Sequence, residues 1–233
     1  MTHEATIHPA QTTILRELLF VPSVRFADLR DATKLESDHV KFHISRLVDL
    51  GYVAKSEQGD YSLTTTGKEY ANKLDTDQNK IERQPKSAVI LVVENDKGKL
   101  LVLERRKHPY FGFWGFPGGK IRWGETILEA AARELKEETG LSAELEYRGV
   151  YHELTRSIET HEVLEDKIFQ IVSGKNPEGE LLAEFDSGRN AWLTLTEIEA
   201  KEKVYKSFAI ELSIGKGEAS FIEQEQQYGQ GEF

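Results

Sequence analysis

Between Gly118 and Leu141 the chain reads GGKIRWGETILEAAARELKEETGL, and five of these 24 residues are glutamate. Thr126 followed by Glu129 is a capping box and Gly140 is a C-terminal stop. Ile127, Leu128, Ala131, Ala132 and Leu135 supply an apolar side, so the spacing predicts a helix over 126–139. Glu134, Glu137 and Glu138 then stand at i, i+3 and i+4 and share one face. Glu134 and Glu138 form a like-charge pair that weakens a helix unless something compensates. One compensation is a solvated face laced by Glu129–Arg133 and Arg133–Glu137 pairs. The preceding loop, FPGGK, opens another, because its two glycines let the backbone turn sharply and approach a ligand or a neighbouring helix closely. Glu125 lies just before the helix. A cluster with oxygen donors only, and no histidine or sulfur, suits hard Mg²⁺ or Mn²⁺, which would relieve the repulsion.

Gly119, five residues, Glu125, seven residues, then REL, one residue and EETGL match the Nudix box at nine restricted positions over 23 residues, and WGFPGG precedes it. On these residues the segment of about 86–200 resembles the Nudix hydrolase family. The resemblance implies an α/β fold, an α/β/α sandwich around a mixed sheet, and Mg²⁺- or Mn²⁺-dependent cleavage of a diphosphate linked to a nucleoside and some other group. It implies Glu134, Glu137 and Glu138 as metal ligands or, for one of them, the group that activates water. Glu125 becomes a further ligand, Arg133 the residue that orients a neighbouring carboxylate, and Gly118 a backbone carbonyl donor. Arg105 and Arg106, ending the strand KLLVLERR, are the nearest candidates to hold a substrate phosphate. Relatives can carry an acidic base on a later loop, where Glu184 or Asp186 stands here. Family markers for sugar nucleotides or dinucleoside polyphosphates are replaced by Arg156, Ser157 and Ile158, so ADP-ribose, NADH, an oxidised nucleotide triphosphate and a sugar nucleotide stay open as substrates.

The first part of the chain follows another pattern. Ile14, Leu15, Leu18 and Leu19 recur with helical spacing up to a break at Pro22, and VRFADLRDAT is a second short amphipathic segment. SDHVKFHISRLVDLG predicts a third helix with Ser37 as N-cap, Gly51 as stop, and Val40, Ile44, Leu47 and Leu50 buried. Two alternating runs around Gln58-Gly59-Asp60 predict a hairpin, and TTGKEYANKL a closing helix. On LVDLGYV and YSLTTTGKEY this segment resembles the winged helix-turn-helix of MarR-like regulators, which implies that the third helix offers Lys41, His43 and Arg46 to DNA. Residues 1–84 carry 11 Lys+Arg against 13 Asp+Glu, a net charge of −2. Phosphate contacts supply most non-specific affinity, so such a domain needs a homodimer to concentrate its basic residues on DNA. Assembly alone is the other use of such a module.

The expected organisation is a winged helix-turn-helix domain over 1–76, a linker over 77–86, a Nudix domain over 87–214 and a frayed C-terminal tail over 215–233. The second part carries −8 of the net charge of −10, which argues against a chain that coats nucleic acid or an anionic membrane. The chain contains no cysteine, which excludes disulfides and thiol chemistry, and its N-terminus lacks a signal-peptide pattern, so a cytoplasmic setting is expected. No apolar run reaches the length of a membrane span. All box glutamates are retained, which favours an enzyme. A nucleotide-sensing transcriptional regulator, in which the Nudix part binds an effector, is the alternative.

Overall fold

The computed structural model describes residues 7–77, 79–81 and 83–233, and the chain divides into two compact units, Met1–Arg83 and Gln84–Phe233. Gln78 and Glu82 of the expected linker, and the first six residues, lie outside the described residues.

In the first unit α1 (Pro9–Leu19), α2 (Phe26–Thr33) and α3 (Ser37–Asp49) precede the hairpin of β1 (Val53–Lys55) and β2 (Tyr61–Leu63) and the helix α4 (Thr65–Ala71). Ile14, Leu15, Leu18, Leu29, Val40, Ile44, Leu47, Val53 and Tyr61 form one core, which is the set of positions that helical and alternating periodicity brings together. The N-cap of α3 is Glu36, with no capping hydrogen bond from its side chain. Ser37, expected in that role, is already the first helical residue. The polar run expected as linker is also more ordered than its composition suggests. β3 (Leu74–Asp75) pairs with β4 (Lys80–Ile81), because buried Leu74 still belongs to the first core and anchors the ladder.

The second unit opens with β5 (Lys86–Val93), β6 (Leu100–Arg105), β7 (Trp114–Gly115) and β8 (Gly118–Lys120), followed by α5 (Ile127–Thr139). Two 16-residue strands, β9 (Ser142–Ser157) and β10 (Val163–Glu178), lead to β11 (Glu184–Phe185), β12 (Gly188–Leu193), α6 (Leu195–Glu199), α7 (Phe208–Gly215) and β13 (Phe221–Tyr228). The strands form a mixed five-stranded sheet in the order β13-β9-β10-β5-β8 and a four-stranded sheet in the order β11-β12-β6-β7. β5 is apolar at both parities because both its faces are covered. Val89, Leu91 and Val93 pack with Ala130, Ala131 and Leu135 of α5, while Val92 packs with Phe208, Leu212 and Ile214 of α7. The result is an α/β/α sandwich. No helix among the described residues is long and apolar enough to cross a membrane.

The C-terminal stretch corrects the expectation of a frayed tail. Residues 221–228 lie parallel to β9, from Phe221 opposite Val150 to Tyr228 opposite Ser157. The pattern was hidden because one inward position is Gln226, 7% exposed, which an apolar-alternation reading discards. Its amide donates to the Tyr151 hydroxyl at 3.4 Å.

Candidate active site

α5 begins as its capping box dictates: the Thr126 hydroxyl accepts from the Glu129 N–H, and the Glu129 carboxylate accepts from the Thr126 N–H at 2.9 Å. Gly140, at φ 75°, ends it. The helix packs Ala130, Ala131 and Leu135 on the sheet, whereas Leu128 and Ala132, expected on that side, are exposed; the 134/137/138 face is left toward β8 and the loop between them.

Arg133 organises that face. Its Nε and Nη2 donate to the two oxygens of Glu125 at 2.5 and 2.7 Å, Nη1 donates to Glu134 at 2.5 Å and to Glu137 at 3.3 Å, and Nη2 also reaches the Lys120 carbonyl at 3.1 Å. These hydrogen bonds from Arg133 hold the Glu125 carboxyl at about 2, well below the usual carboxylate range, with the Arg122 N–H adding to the effect. Glu137 is exposed and ion-paired to Arg122 at 3.0 Å. Glu134 and Glu138, one turn apart, both face a cavity of about 650 Å³. Burial pushes the Glu138 carboxyl up to about 7, and the charge of Glu134 adds to the rise. The Gly118 N–H and the cations Lys107 and Arg105 oppose it.

Close approach of backbone requires a glycine at 118, and Gly119 lies against a helix carboxylate. A Cβ on Gly119 would lie 2.2 Å from the Glu134 carboxyl carbon, and one on Gly118 would lie 2.2 Å from the Val89 carbonyl oxygen. β8 thus seats its backbone directly against the helix carboxylates while pairing with β5 (Ile90 opposite Gly118).

Among the described residues no set of three acidic or histidine side chains closes into a metal cage, since Arg133 and Arg122 engage Glu125, Glu134 and Glu137. The donor chemistry still fits a hard divalent cation: Glu134 and Glu138 crowd one cavity wall, and every donor is oxygen.

The expected phosphate-binding pair separates. Arg105 lines the cavity but donates to the carbonyls of Lys107 and Pro109 at 3.1 and 2.6 Å, whereas Arg106 points elsewhere and pairs with Glu184 at 3.2 Å. From the loop carrying Glu184 and Asp186, the cavity takes Phe185 and Ser187 instead. In the first unit Lys41 and Arg46 are exposed on α3, Lys41 pairing with Asp38. His43 departs from the expected role: its ring stacks on His8 at 4.5 Å and its Nδ1 is buried without a hydrogen bond, because its position on α3 faces α1.

Sequence reasoning missed the opposite wall of the cavity, built from Lys86, Glu153, Glu165, Lys167, Phe169 and Glu211. A signal existed for Glu153. In β9, Tyr151, Glu153, Thr155 and Ser157 are all buried, so three polar residues follow Tyr151 in phase on the inward side.

The family model described as NUDIX domain matches residues 84–211. An ADP-ribose pyrophosphatase of Methanocaldococcus jannaschii is 32% identical over 125 residues, which span 52% of this chain and 73% of that protein. The 8-oxo-dGDP phosphatase NUDT18 of Mus musculus is 41% identical over 56 residues, 24% of this chain and 17% of that one. Among solved structures, the MutT protein of Bacillus halodurans superposes with a TM-score of 0.52 at 21% identity, covering 64% of this chain and 93% of that one, a likeness of fold.

Proposed function

The chain belongs to the NUDIX domain family and is a pyrophosphohydrolase, and from that premise we propose that it cleaves the diphosphate bridge of a nucleoside diphosphate derivative, with ADP-ribose as the first candidate. The observation that carries this reading is the Arg133 hub, which fixes Glu125 and Glu134 beside the glycine strand while Glu138 stays free of it inside the cavity.

Glu125, Glu134, Glu137, Glu138 and the Gly118 carbonyl would hold Mg²⁺ or Mn²⁺. When bound, the metal supplies charge neutralisation of the diphosphate oxygens and an acidified water. Arg133 orients the carboxylates without reaching substrate, since its donors are spent on Glu125, Glu134 and Lys120. Glu138, which faces the cavity outside the Arg133 hub, is the carboxylate placed to accept a proton from attacking water. Gly118 and Gly119 let the backbone come within reach of these groups. Lys107 and Arg105 supply positive charge at the cavity mouth, and of the two Lys107 has the freer ammonium for a phosphate.

A screen of ADP-ribose, NADH, 8-oxo-dGTP and sugar nucleotides with Mg²⁺, reading phosphate release after a phosphatase, tests the assignment. We expect turnover of at least one compound and a loss of roughly 10²–10⁴-fold in Glu138→Gln, the range of a lost acid–base group. Wild-type turnover in that variant would remove Glu138 from the mechanism.

For the first unit, the order of three helices, a hairpin and a fourth helix is that of a winged helix-turn-helix, and we propose that it associates with DNA as a homodimer in the cytoplasm, through Lys41 and Arg46. Selection from a random duplex pool at low salt, with and without nucleotide, tests it. No enriched sequence would leave the module as an assembly element, and nucleotide-dependent enrichment without turnover would favour the effector-sensing regulator.

A further inference from the structure

We infer that the last turn of the chain, Gly229–Phe233, together with Tyr228, is a positioning device for the rim of the substrate cavity. The inference rests on the reading that this cavity takes the substrate. The rim is the end of β6 and the segment that joins it to β7, from which Arg105, Lys107, Pro109 and Tyr110 line the cavity. Arg105 holds the segment in a tight loop, donating to the carbonyls of Lys107, His108 and Pro109 and accepting from the Gly112 N–H at 2.7 Å.

Tyr110 is the point at which this loop is fastened. It is 3% exposed and sits at φ 66°, a left-handed conformation that a bulky residue keeps only where its surroundings hold it there. Its hydroxyl donates to Glu165 at 3.1 Å, and Glu165 also pairs with Lys86 and Lys167. Its ring is enclosed edge-on by Tyr228 at 5.0 Å, Phe233 at 5.3 Å, Tyr205 at 5.4 Å and Phe113 at 5.9 Å, with the Lys167 ammonium 5.4 Å from its centre. Two of the four enclosing rings come from the last six residues. Neither Tyr228 nor Phe233 lines the cavity.

The end segment is itself pinned in place. The Gly229 N–H donates to Glu232, the Gln230 N–H donates to Glu159, the Phe233 N–H donates to the Gly229 carbonyl at 3.2 Å, and the Lys206 ammonium caps the Gln227 carbonyl at 2.5 Å. A loop held this way is ordered before substrate arrives. Loosening it makes binding bear the cost of ordering it, while the carboxylates of α5, on a separate element, keep their geometry. The expected signature is a change in KM without a change in kcat.

The test uses the full-length protein with Phe233→Ala and the ring-retaining Phe233→Tyr. In Phe233→Ala, amide hydrogen exchange should quicken over residues 106–113 and stay unchanged over α5. With ADP-ribose and Mg²⁺, KM should rise about threefold to tenfold, the range of one lost aromatic edge contact, with kcat within about twofold. Phe233→Tyr should restore both readouts. Unchanged exchange over 106–113 overturns the inference, and so does a kcat that falls in step with a drop in Tm. A wild-type protein that ignores ADP-ribose sinks that substrate assignment instead, and the exchange readout then decides alone: faster over the rim supports the device, unchanged refutes it.

Discussion

Arg133 grips Glu125 with two parallel hydrogen bonds, Nε to one oxygen at 2.5 Å and Nη2 to the other at 2.7 Å, eight residues apart in the chain. The pair joins the loop to the helix it precedes. The remaining Nη1 is then aimed at Glu134 on the same helix. One guanidinium thereby sets two carboxylates at once, and does so while only 14% of its side chain is exposed, where screening by water is weak.

Replacing Arg133 by lysine keeps the charge and loses the fork. A point ammonium can hold one carboxylate oxygen but not both Glu125 and Glu134. We expect kcat and Mn²⁺ affinity each to fall by about 10–100-fold, as for other residues that orient metal ligands, with Tm changed little. Steady-state kinetics and Mn²⁺ titration by electron spin resonance check it, and unchanged values in both would show the fork to be dispensable.

Gly119→Ala tests close approach, not backbone freedom, because Gly119 is not at a positive φ. The added methyl would meet the Glu134 carboxyl carbon at 2.2 Å, so Glu134 must leave Arg133 or β8 must part from β5. The clashing atoms are the end of a side chain that can turn into the cavity, so Tm should change little, whereas a misplacement of about 1 Å near the chemistry can cost on the order of 100-fold in rate. An unchanged kcat would contradict the clash.

Glu211 gives a pH prediction. It is 4% exposed, and burial pushes its carboxyl up from 4.5 to about 7, with the charge of Glu153 adding and the Ser207 hydroxyl opposing. Because the folded value lies above the unfolded one, the native state binds the extra proton between them. This group's contribution to stability therefore declines as pH rises from 4.5 to about 7 and stays low above that. Glu211→Gln, close in shape and unable to ionise, should match the wild type near pH 5 and melt at a higher temperature at pH 8. A gap in Tm that does not widen between those values refutes the shift.

Much of this site was legible before any coordinates because α5 is local. Its cap, its stop, its carboxylate face and the glycines facing it are set by spacings within 23 residues, and a short helix obeys such rules without help from distant partners. The opposite wall was not legible for the converse reason. Glu153, Glu165 and Glu211 come from β9, β10 and α7, and only sheet register and the α7 packing bring them to one cavity. Arg105 and Arg106 show a finer limit: at the end of β6 successive side chains still point to opposite sides, Arg105 to the cavity and Arg106 to Glu184, so the two do not both serve one phosphate. β13 was missed because an edge strand with Gln226 inward lacks the apolar alternation by which strands are recognised.

The attachment of β13 supplies the last prediction, with the same dependence on pH as that of Glu211 but from a group that stabilises the fold when charged. His152 on β9 lies between carboxylates of two neighbouring strands, Nε2 to Asp166 of β10 at 2.9 Å and Nδ1 to Glu223 of β13 at 2.6 Å. Two acceptors on one ring call for both nitrogens to carry protons. The hydrogen bond to Asp166, then that to Glu223, raises the pKa above the ordinary histidine value, with partial burial opposing. A folded value above the unfolded one means that the stabilisation is complete below about pH 6.5 and is lost as pH rises through the folded value, when the imidazolium gives up a proton and one carboxylate loses its donor. His152→Gln should therefore be less stable than the wild type at pH 6, and the difference should shrink toward pH 9. Hydrogen exchange of the β13 amides should follow the same course, slow in the wild type at low pH and approaching the variant as His152 deprotonates, once intrinsic exchange rates are corrected. A Tm difference that is constant from pH 6 to 9 would mean that His152 contributes packing alone and that its charge does not hold β13 to the sheet.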